Sequence, residues 1–357
     1  MKRLIYALLI LTVFSCSSKK SLSQTVTKDA VIVKKKAKTL TVDSIHLEDN
    51  KSIYYYKSIL TKEGIKKHLQ KLTSKEFEGR KTGENGQKLA ANYIAHFYKS
   101  LNYESPIAEE NYFQTIPKEF FNGKANNSSE NVVAFIYGIE KPEEVVIISA
   151  HYDHLGIKDE KIYPGADDDG SGTAALLEIA NVFRTAYLDD EGPKRSILFL
   201  NLTGEEEGLY GSKYYAAHPI FPFEKTVANL NIDMIGRVDK THQNNKNYVY
   251  LIGSDKLSEE LYFISEAVNN KYTQLDLDYK YNDEKDKNRF YYRSDHYNFA
   301  KKGVPVIFYF NGTHQDYHQP TDTEDKINYD LLTKRAQLVF LTAWELANRP
   351  HFLKRDN

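Results

Sequence analysis

The stretch VVIISAHYD, residues 145–153, decides the fold of this 357-residue chain. Its four β-branched residues, Val145 to Ile148, form an apolar run that is typical of a strand buried on both faces of a sheet. The run is followed closely by His151 and Asp153, two side chains of the types that bind metal ions. In an open α/β sheet, ligand groups collect just beyond the carboxyl ends of the strands. We therefore expect a functional site where this strand ends.

Strand and helix patterns alternate along the rest of the chain. Helical spacing begins near Ile65 and recurs around Ile94. We predict strands at 131–137, 145–150, 196–202, 227–232, 248–252 and 304–310, and further helices at 173–187, 212–217, 257–269 and 331–346. This alternation predicts an α/β fold: a single three-layer domain with a central, mixed but mostly parallel sheet and helices on both faces.

Four other segments place acids or a histidine beside an apolar run. They contain Asp167-Asp168-Asp169, Glu205-Glu206-Glu207, Asn231-Ile232-Asp233 and Tyr317-His318. Each segment alone is weak evidence, because a histidine after a strand or paired glutamates at a helix start usually have structural roles. Acids gathered at one sheet edge repel one another, and a pair of divalent cations supplies the compensating charge. With a single cysteine in the chain, the ligands must be nitrogen and oxygen atoms. The joint pattern predicts a metallohydrolase.

Five motifs resemble those of the M28 family of di-zinc aminopeptidases, and they occur in the order typical of that family. They are SAHYDHLG (149–156), GADDDGSG (165–172), GEEEGLYGS (204–212), NIDMIG (231–236) and YHQPTDT (317–323). Upstream, EGRKTG (78–83) also resembles a segment common in these enzymes, and the similarity extends from about Thr61 to about Asn348. The joint match is very specific.

The resemblance implies two zinc ions per chain and assigns their ligands. His151 and Asp233 would bind one zinc, and Glu206 and His318 would bind the other. Asp168 would bridge the two. The family has asparagine where this chain has Asp167, so either aspartate is a candidate bridge, and the register of the following residues 169–172 favours Asp168.

The same resemblance implies that Glu205 is the general base of a zinc-dependent exopeptidase, most simply an aminopeptidase acting on peptides. Asp153 would accept the second ring N–H of His151 and fix its tautomer. Tyr317 is a candidate oxyanion donor, with simple packing beside His318 as the alternative.

Other polar residues near these motifs have less specific interpretations. His154 and His296 occupy positions that are not ligands in the family, so we predict supporting or structural roles for them. His314 and Arg293 are candidates for lining the substrate pocket. The net charge of −1 argues against nucleic acid as a partner, and the sequence does not indicate an oligomeric state.

The beginning of the chain resembles a bacterial lipoprotein signal. A basic start, an apolar core of 11 residues from Leu4 to Phe14, and the sequence VFSC ending at Cys16 are typical of it. We predict a signal peptide at 1–16, a disordered tether at 17–54 and the peptidase domain at 55–357. The protein would be exported and anchored to a bacterial membrane through a lipid on Cys16; an ordinary signal peptide is the alternative.

Two other functions remain open at this point. A glutaminyl cyclase resembles this family in fold but uses one zinc, and such enzymes generally lose part of the second ligand set. A non-catalytic binding lipoprotein on a peptidase scaffold is the second alternative. The presence of Glu205 argues against it, because a purely structural metal site does not need a free base.

Overall fold

A computed structural model of the chain describes residues 40–48 and 51–356. The predicted signal peptide with Cys16 and most of the predicted tether lie outside the described residues. The compact unit begins at Leu40, earlier than the predicted boundary at residue 54. Ile45 and Leu47 pack against the main core, and the backbone N–H of Glu48 donates to the carboxylate of Glu345 at 3.0 Å. Residues 40–48, which the sequence analysis assigns to the tether, therefore contact the folded domain.

The main sheet combines a parallel centre with antiparallel neighbours. Its strands lie in the order β1-β2-β6-β3-β7-β10-β8-β9, and β4 and β5 form a separate hairpin. The strands are β1 (Phe113–Ile116), β2 (Ser129–Ile136), β3 (Lys141–His151), β4 (Gly156–Lys158), β5 (Lys161–Tyr163), β6 (Arg195–Leu202), β7 (Thr226–Ile232), β8 (Tyr248–Ile252), β9 (Asp276–Asp278) and β10 (Val306–Phe310). The four central strands, β6, β3, β7 and β10, are parallel, so their carboxyl ends meet at one edge.

Helices cover both faces of this sheet. They are α1 (Ile53–Ile59), α2 (Lys62–Leu72), α3 (Asn85–Ser100), α4 (Gly172–Leu188), α5 (Tyr210–Ala217), α6 (Glu259–Tyr272), α7 (His296–Ala300) and α8 (Tyr329–Asn348). The larger core joins one face to α1–α4, α6 and α8, whereas Tyr215 of α5 and Phe299 of α7 pack on the other face. The three-layer α/β fold predicted from the sequence is confirmed. Among the described residues, no helix is both long enough and apolar enough to cross a membrane.

Strand β3 shows why the chain folds in this way. Val146 and Ile148 belong to the larger core, and Val145 and Ile147 belong to the core on the opposite face. All four side chains are fully buried, and burying each contributes about 1.5–3 kcal/mol. An apolar run without alternation therefore predicts a central strand correctly, and this strand places His151 at its carboxyl end.

Candidate metal centre

The predicted ligands all lie at the carboxyl edge of the parallel strands. His151 is the last residue of β3, and Asp233 directly follows β7. Glu206 lies just beyond the end of β6, and His318 lies in the loop after β10. Asp168 lies in the turn that begins α4. The pairing of His151 with Leu202 and of Ala150 with Ile232 aligns the strand ends, which brings these distant parts of the sequence together.

Asp168 stands between two histidines. Its Oδ1 lies 3.2 Å from Nε2 of His151, and its Oδ2 lies 3.1 Å from Nε2 of His318. Glu206 adds its Oε2 at 3.1 Å from Nε2 of His318, while Oδ1 of Asp233 lies 3.6 Å from Nε2 of His151. The ligand atoms thus form two groups that meet at Asp168, as a bridging carboxylate requires.

Several buried polar atoms of this site make no hydrogen bond of good geometry within the described residues, even where another polar atom is near. They are Nε2 of His151, Oδ2 of Asp168, Oδ2 of Asp169, Oε1 of Glu206 and both ring nitrogens of His154. A buried carboxylate without a partner costs several kcal/mol unless a metal or an opposite charge compensates. The described residues contain two compact groups of donors, and within each group the ligand atoms lie within 4.8 Å of one another. The first is His151, Asp169 and Asp233, with Asp169 in place of the predicted Asp168. The second is His154, Asp168 and Glu206, with His154 in place of the predicted His318. Imidazole nitrogens and carboxylate oxygens are zinc ligands, so these residues fit divalent zinc.

The negative charges of the buried carboxylates repel one another when no cation is present. Burial raises the pKa of Glu205 well above its usual range, and the neighbouring carboxylates of Asp233 and Glu206 add to the rise. Burial also raises the pKa of Asp169 well above its usual range. The pKa of Asp168 is held well below its usual range, because the contacts with His151 and His318 outweigh the effect of burial. A divalent cation compensates these negative charges and favours the ionised form of each carboxylate.

Asp167 does not compete with Asp168 for the bridging position. Its Oδ1 accepts from the backbone N–H of Gly236 at 2.6 Å. Its Oδ2 accepts from the amide of Asn311 at 3.0 Å and lies 3.1 Å from Nε2 of His314. Both carboxylate oxygens are therefore occupied. The same contact shows that His314 supports the loop of Asp167, and His314 is absent from the residues that line the cavity beside Glu205.

Asp153 contacts different groups from those predicted. Nδ1 of His151 donates to the backbone carbonyl of Asp153 at 3.2 Å, whereas the Asp153 carboxylate is 3.6 Å away, too far for a hydrogen bond. The carboxylate instead accepts from the hydroxyl of Thr82 at 2.7 Å and from the backbone N–H of Glu205 at 3.2 Å. The nearest partner of the His151 ring is therefore the backbone carbonyl of Asp153 and not its carboxylate, and this contact leaves Nε2 free for a metal.

His154 lies closer to the metal ligands than the sequence predicted. Its Nδ1 is 2.7 Å from Oε1 of Glu206 and 3.9 Å from Oδ2 of Asp168, and its side chain is completely buried. Because a ring nitrogen of His154 lies within 4.8 Å of the carboxylate oxygens of Asp168 and Glu206, His154 joins the second group of donors. Its position three residues after His151, in the turn beyond the strand, was the signal available in the sequence.

Residues with no assigned role in the sequence analysis hold the site loops in place. The buried guanidinium of Arg80 donates to the backbone carbonyls of Leu72, Tyr152, Pro164 and Gly165. Asp322 accepts from the backbone N–H groups of Asp167 and Asp168, at 2.9 and 3.2 Å. The hydroxyl of Ser294 donates to Oδ2 of Asp233 at 2.6 Å. The EGRKTG and YHQPTDT motifs contain Arg80 and Asp322, whereas no sequence signal pointed to Ser294.

A cavity opens beside Glu205. It is lined by Asp168, Glu205, Asp233, Met234, Phe290, Arg293, Phe308, Phe310, Thr313 and Tyr317. The ring of Tyr317 stacks on His318 with centroids 3.9 Å apart, and its hydroxyl lies 3.4 Å from Nη2 of Arg293. The predicted base, two of the predicted ligands and the predicted oxyanion donor therefore share one small space. A larger cavity of about 510 Å³, near Asp190 and Asn348, includes none of the candidate donors.

Known proteins are similar to this chain in sequence and in fold. The chain is 30% identical over 261 residues to a "probable zinc metalloprotease" of Pyricularia oryzae, covering 62% of this chain and 50% of that protein. It is 27% identical over 238 residues to aminopeptidase YwaD of Bacillus subtilis, covering 63% and 46% of the two chains. The chain thus spans about half the length of the curated relatives it matches.

The fold is also found in a solved structure. The LapA aminopeptidase of Legionella pneumophila superimposes with a TM-score of 0.65 at 20% identity, covering 85% of this chain and 76% of that one. A family model described as peptidase family M28 matches residues 131–343, more than half of the chain. That range contains every predicted ligand, from His151 to His318. The chain therefore belongs to peptidase family M28.

Proposed function

We propose that this protein is an exopeptidase with two zinc ions per chain, an aminopeptidase that removes N-terminal residues from peptides. One observation carries the proposal. Glu205 lines the same cavity as Asp168 and Asp233 but belongs to neither group of metal donors. A carboxylate beside a metal pair, and not bound by it, is suited to moving a proton.

The residues divide into ligands and a base. His151, Asp168 and Asp233 would hold one zinc, and Asp168, Glu206 and His318 would hold the other, with His154 beside Glu206. Zinc, when bound there, would polarise the scissile carbonyl and lower the pKa of the attacking water to near about 7. Glu205 accepts the proton of that water and delivers it to the leaving amine.

Tyr317 would stabilise the developing oxyanion. It lines the cavity beside Glu205, and its hydroxyl lies 3.4 Å from Nη2 of Arg293. Burial raises the pKa of Tyr317 far above its usual value, and the carboxylates of Asp168 and Glu206 add to this effect. The phenol therefore keeps its proton at neutral pH and acts as a hydrogen-bond donor.

The small cavity supports cleavage at a chain end. Its volume is about 30 Å³, and its wall combines four aromatic rings with the carboxylates of Asp168, Glu205 and Asp233 and the guanidinium of Arg293. A space of this size suits one small side chain and is much shorter than the extended cleft of an endopeptidase. The similarity to aminopeptidase YwaD favours the amino terminus as the end that is cleaved.

The test combines metal content with a substrate panel. Purified protein should contain about two zinc ions, hydrolyse aminoacyl-coumarin amides and lose this activity to a chelator. Glu205→Gln should retain the zinc and lose turnover. Hydrolysis of N-blocked carboxypeptidase substrates alone would overturn the aminopeptidase assignment. One zinc with cyclisation of N-terminal glutamine would identify a cyclase, and no turnover of any substrate would identify a binding protein.

We also propose that the protein is exported and anchored to a membrane through a lipid on Cys16. The support is the sequence pattern of residues 1–16 alone. Cys16→Ser should abolish labelling by a fatty-acid analogue in cells and release a soluble or unprocessed form. Unlabelled wild-type protein that keeps its N-terminal methionine would contradict the proposal.

A further inference from the structure

The cavity beside Glu205 has one positively charged residue in its wall. Among the described residues that line this cavity, Arg293 is the only cation. It follows the 3₁₀ turn Phe290–Tyr292, and its guanidinium lies over the ring of Phe290 at 4.9 Å. Nη2 also lies 3.4 Å from the hydroxyl of Tyr317. Two aromatic neighbours thus hold an exposed guanidinium at the side of the cavity.

Other cations near the site already have partners. Arg237 pairs with Asp316 at 2.8 Å and lies 3.7 Å from Asp322. His314 is bound to Asp167, as described above. Arg293, in contrast, forms no ion pair with any carboxylate in the part of the chain that the structure describes, residues 40–48 and 51–356. Its charge remains available to a ligand that enters the cavity.

The chemistry of the guanidinium defines that ligand. Arginine binds carboxylates through two parallel N–H···O bonds, whereas a neutral peptide carbonyl does not need a full positive charge. Arg293 and Glu205 line the same cavity, whose volume is only about 30 Å³. A group bound by Arg293 would therefore lie close to the bond on which Glu205 acts.

We propose that Arg293 binds a carboxylate of the substrate, close to the bond that is cleaved. The inference rests on the proposed peptidase function and narrows its substrate class. The carboxylate can be the free C-terminus of a dipeptide or an acidic side chain. The exposed position of Arg293 favours the C-terminus, since an acidic side chain inside the cavity would lie among the rings of Phe290, Phe308 and Phe310 and beside the carboxylates that also line it.

The experiment compares substrates that differ only in the carboxylate. L-Alanyl-L-alanine and its C-terminal amide share the same scissile bond, and a second pair, Glu-Ala-amide and Gln-Ala-amide, tests the side-chain source. Arg293→Gln should lower kcat/KM for alanyl-alanine by about 10- to 100-fold, the usual effect of losing a hydrogen bond to a charged group. For the C-terminal amide, kcat/KM should change by less than about threefold. Arg293→Lys should recover part of the loss.

Arg289→Gln is the matched control. Arg289 is an exposed arginine on the same segment, stacked on Tyr292 at 4.8 Å, and it does not line the cavity. Arg289→Gln should leave kcat/KM for all four substrates unchanged. A selective loss on Glu-Ala-amide would identify the acidic side chain as the source. Equal losses of kcat/KM on both members of each pair, or no loss on any of the four substrates, would overturn the proposal.

A binding measurement separates this inference from the proposed function. Calorimetry on the zinc-loaded Glu205→Gln variant, which should bind these peptides without cleaving them, should show that alanyl-alanine binds about tenfold or more tightly than its amide. Adding Arg293→Gln should remove this difference. If the wild type cleaves no peptide but this difference is present, the peptidase proposal fails and the Arg293 assignment stands. If peptides are cleaved without any preference for the carboxylate, the Arg293 assignment fails alone.

Discussion

The carboxylate of Asp153 accepts a hydrogen bond from the backbone N–H of Glu205 at 3.2 Å. This bond joins the loop after β3 to the loop after β6, and it holds the base through its own backbone. The second carboxylate oxygen is occupied by the hydroxyl of Thr82. Asp153 therefore acts on the position of the base, while the ring of His151 is oriented by a backbone carbonyl.

Asp153→Ala should lower turnover without removing the metals. The change leaves the Glu205 N–H and the Thr82 hydroxyl without their acceptor, so the free energy of unfolding should fall by about 1–3 kcal/mol. The zinc content should remain that of the wild type, because the His151 contact to the backbone does not depend on this side chain. Urea unfolding and metal analysis check both statements. Loss of zinc together with turnover would instead assign the carboxylate to His151.

The three consecutive glutamates should respond differently to the same substitution. Glu205→Gln should keep both zinc ions and lower kcat by about 10² to 10⁴, the range for losing a positioned general base. Glu206→Gln should lose metal affinity, because Glu206 faces both His154 and His318. Glu207→Gln serves as the control and should retain turnover. Near-normal turnover in Glu205→Gln combined with loss in Glu207→Gln would show that the assignment is displaced along the chain.

Asp168→Asn should deplete both metal positions, since each carboxylate oxygen of Asp168 faces a different histidine. His318→Ala should lower the zinc affinity of mainly one metal position. Asp167→Asn is the matched control: it introduces the residue typical of the family at a side chain that is already hydrogen-bonded. Zinc content after dialysis against a weak chelator gives the comparison. If Asp168→Asn binds as much zinc as the wild type, Asp168 is not the bridge.

His154→Gln should weaken one of the two zinc ions. Its ring nitrogen lies 2.7 Å from the Glu206 carboxylate, and loss of such a partner typically lowers metal affinity by about 10- to 100-fold. His242→Gln is a suitable control, because His242 pairs with Asp239 and belongs to neither donor group. Competition with a coloured chelator measures both affinities. Identical affinities in His154→Gln and the wild type would leave His154 with a packing role only.

Stability should fall in acid because of His296. Burial lowers the pKa of this histidine to about 3, and its ring packs against Phe308 with centroids 4.9 Å apart. Between about pH 6.5 and pH 3 the unfolded chain binds one more proton at this position, so the free energy of unfolding rises with pH in that window. About 2 kcal/mol should be lost between pH 7 and pH 5.

His296→Phe removes this titration. Urea unfolding of the metal-free variant and metal-free wild type, at pH 7 and pH 5, should show a smaller loss for the variant by about 2 kcal/mol. Metal release affects neither protein under these conditions. If the two proteins lose the same stability between the two pH values, the acid sensitivity has another origin.

The sequence by itself determined the central strands, the long helices and the ligand types. Apolar runs such as 145–148 predict buried parallel strands from the local residue pattern alone. The carboxyl ends of parallel strands meet at one edge of the sheet. The residue pattern alone therefore places His151, Asp233 and Glu206 at a common site. The short edge strands β1 and β9 were missed, because three or four residues with mixed polarity carry too little pattern. The residues from Ile45 to Glu48 were missed for the same reason.

Only the tertiary structure decided what each polar atom contacts. Asp167 and Asp168 are identical neighbours, and their roles differ because Gly236 and Asn311, far away in sequence, reach one of them and not the other. The Asp153 carboxylate contacts Glu205 for a similar reason, and His154 comes to face Glu206 only when β3 and β6 pair. Hydrogen bonds depend on directions and distances of a few ångströms, which loops and strand register set together. A residue pattern along the chain predicts where such groups gather, but not which atoms meet.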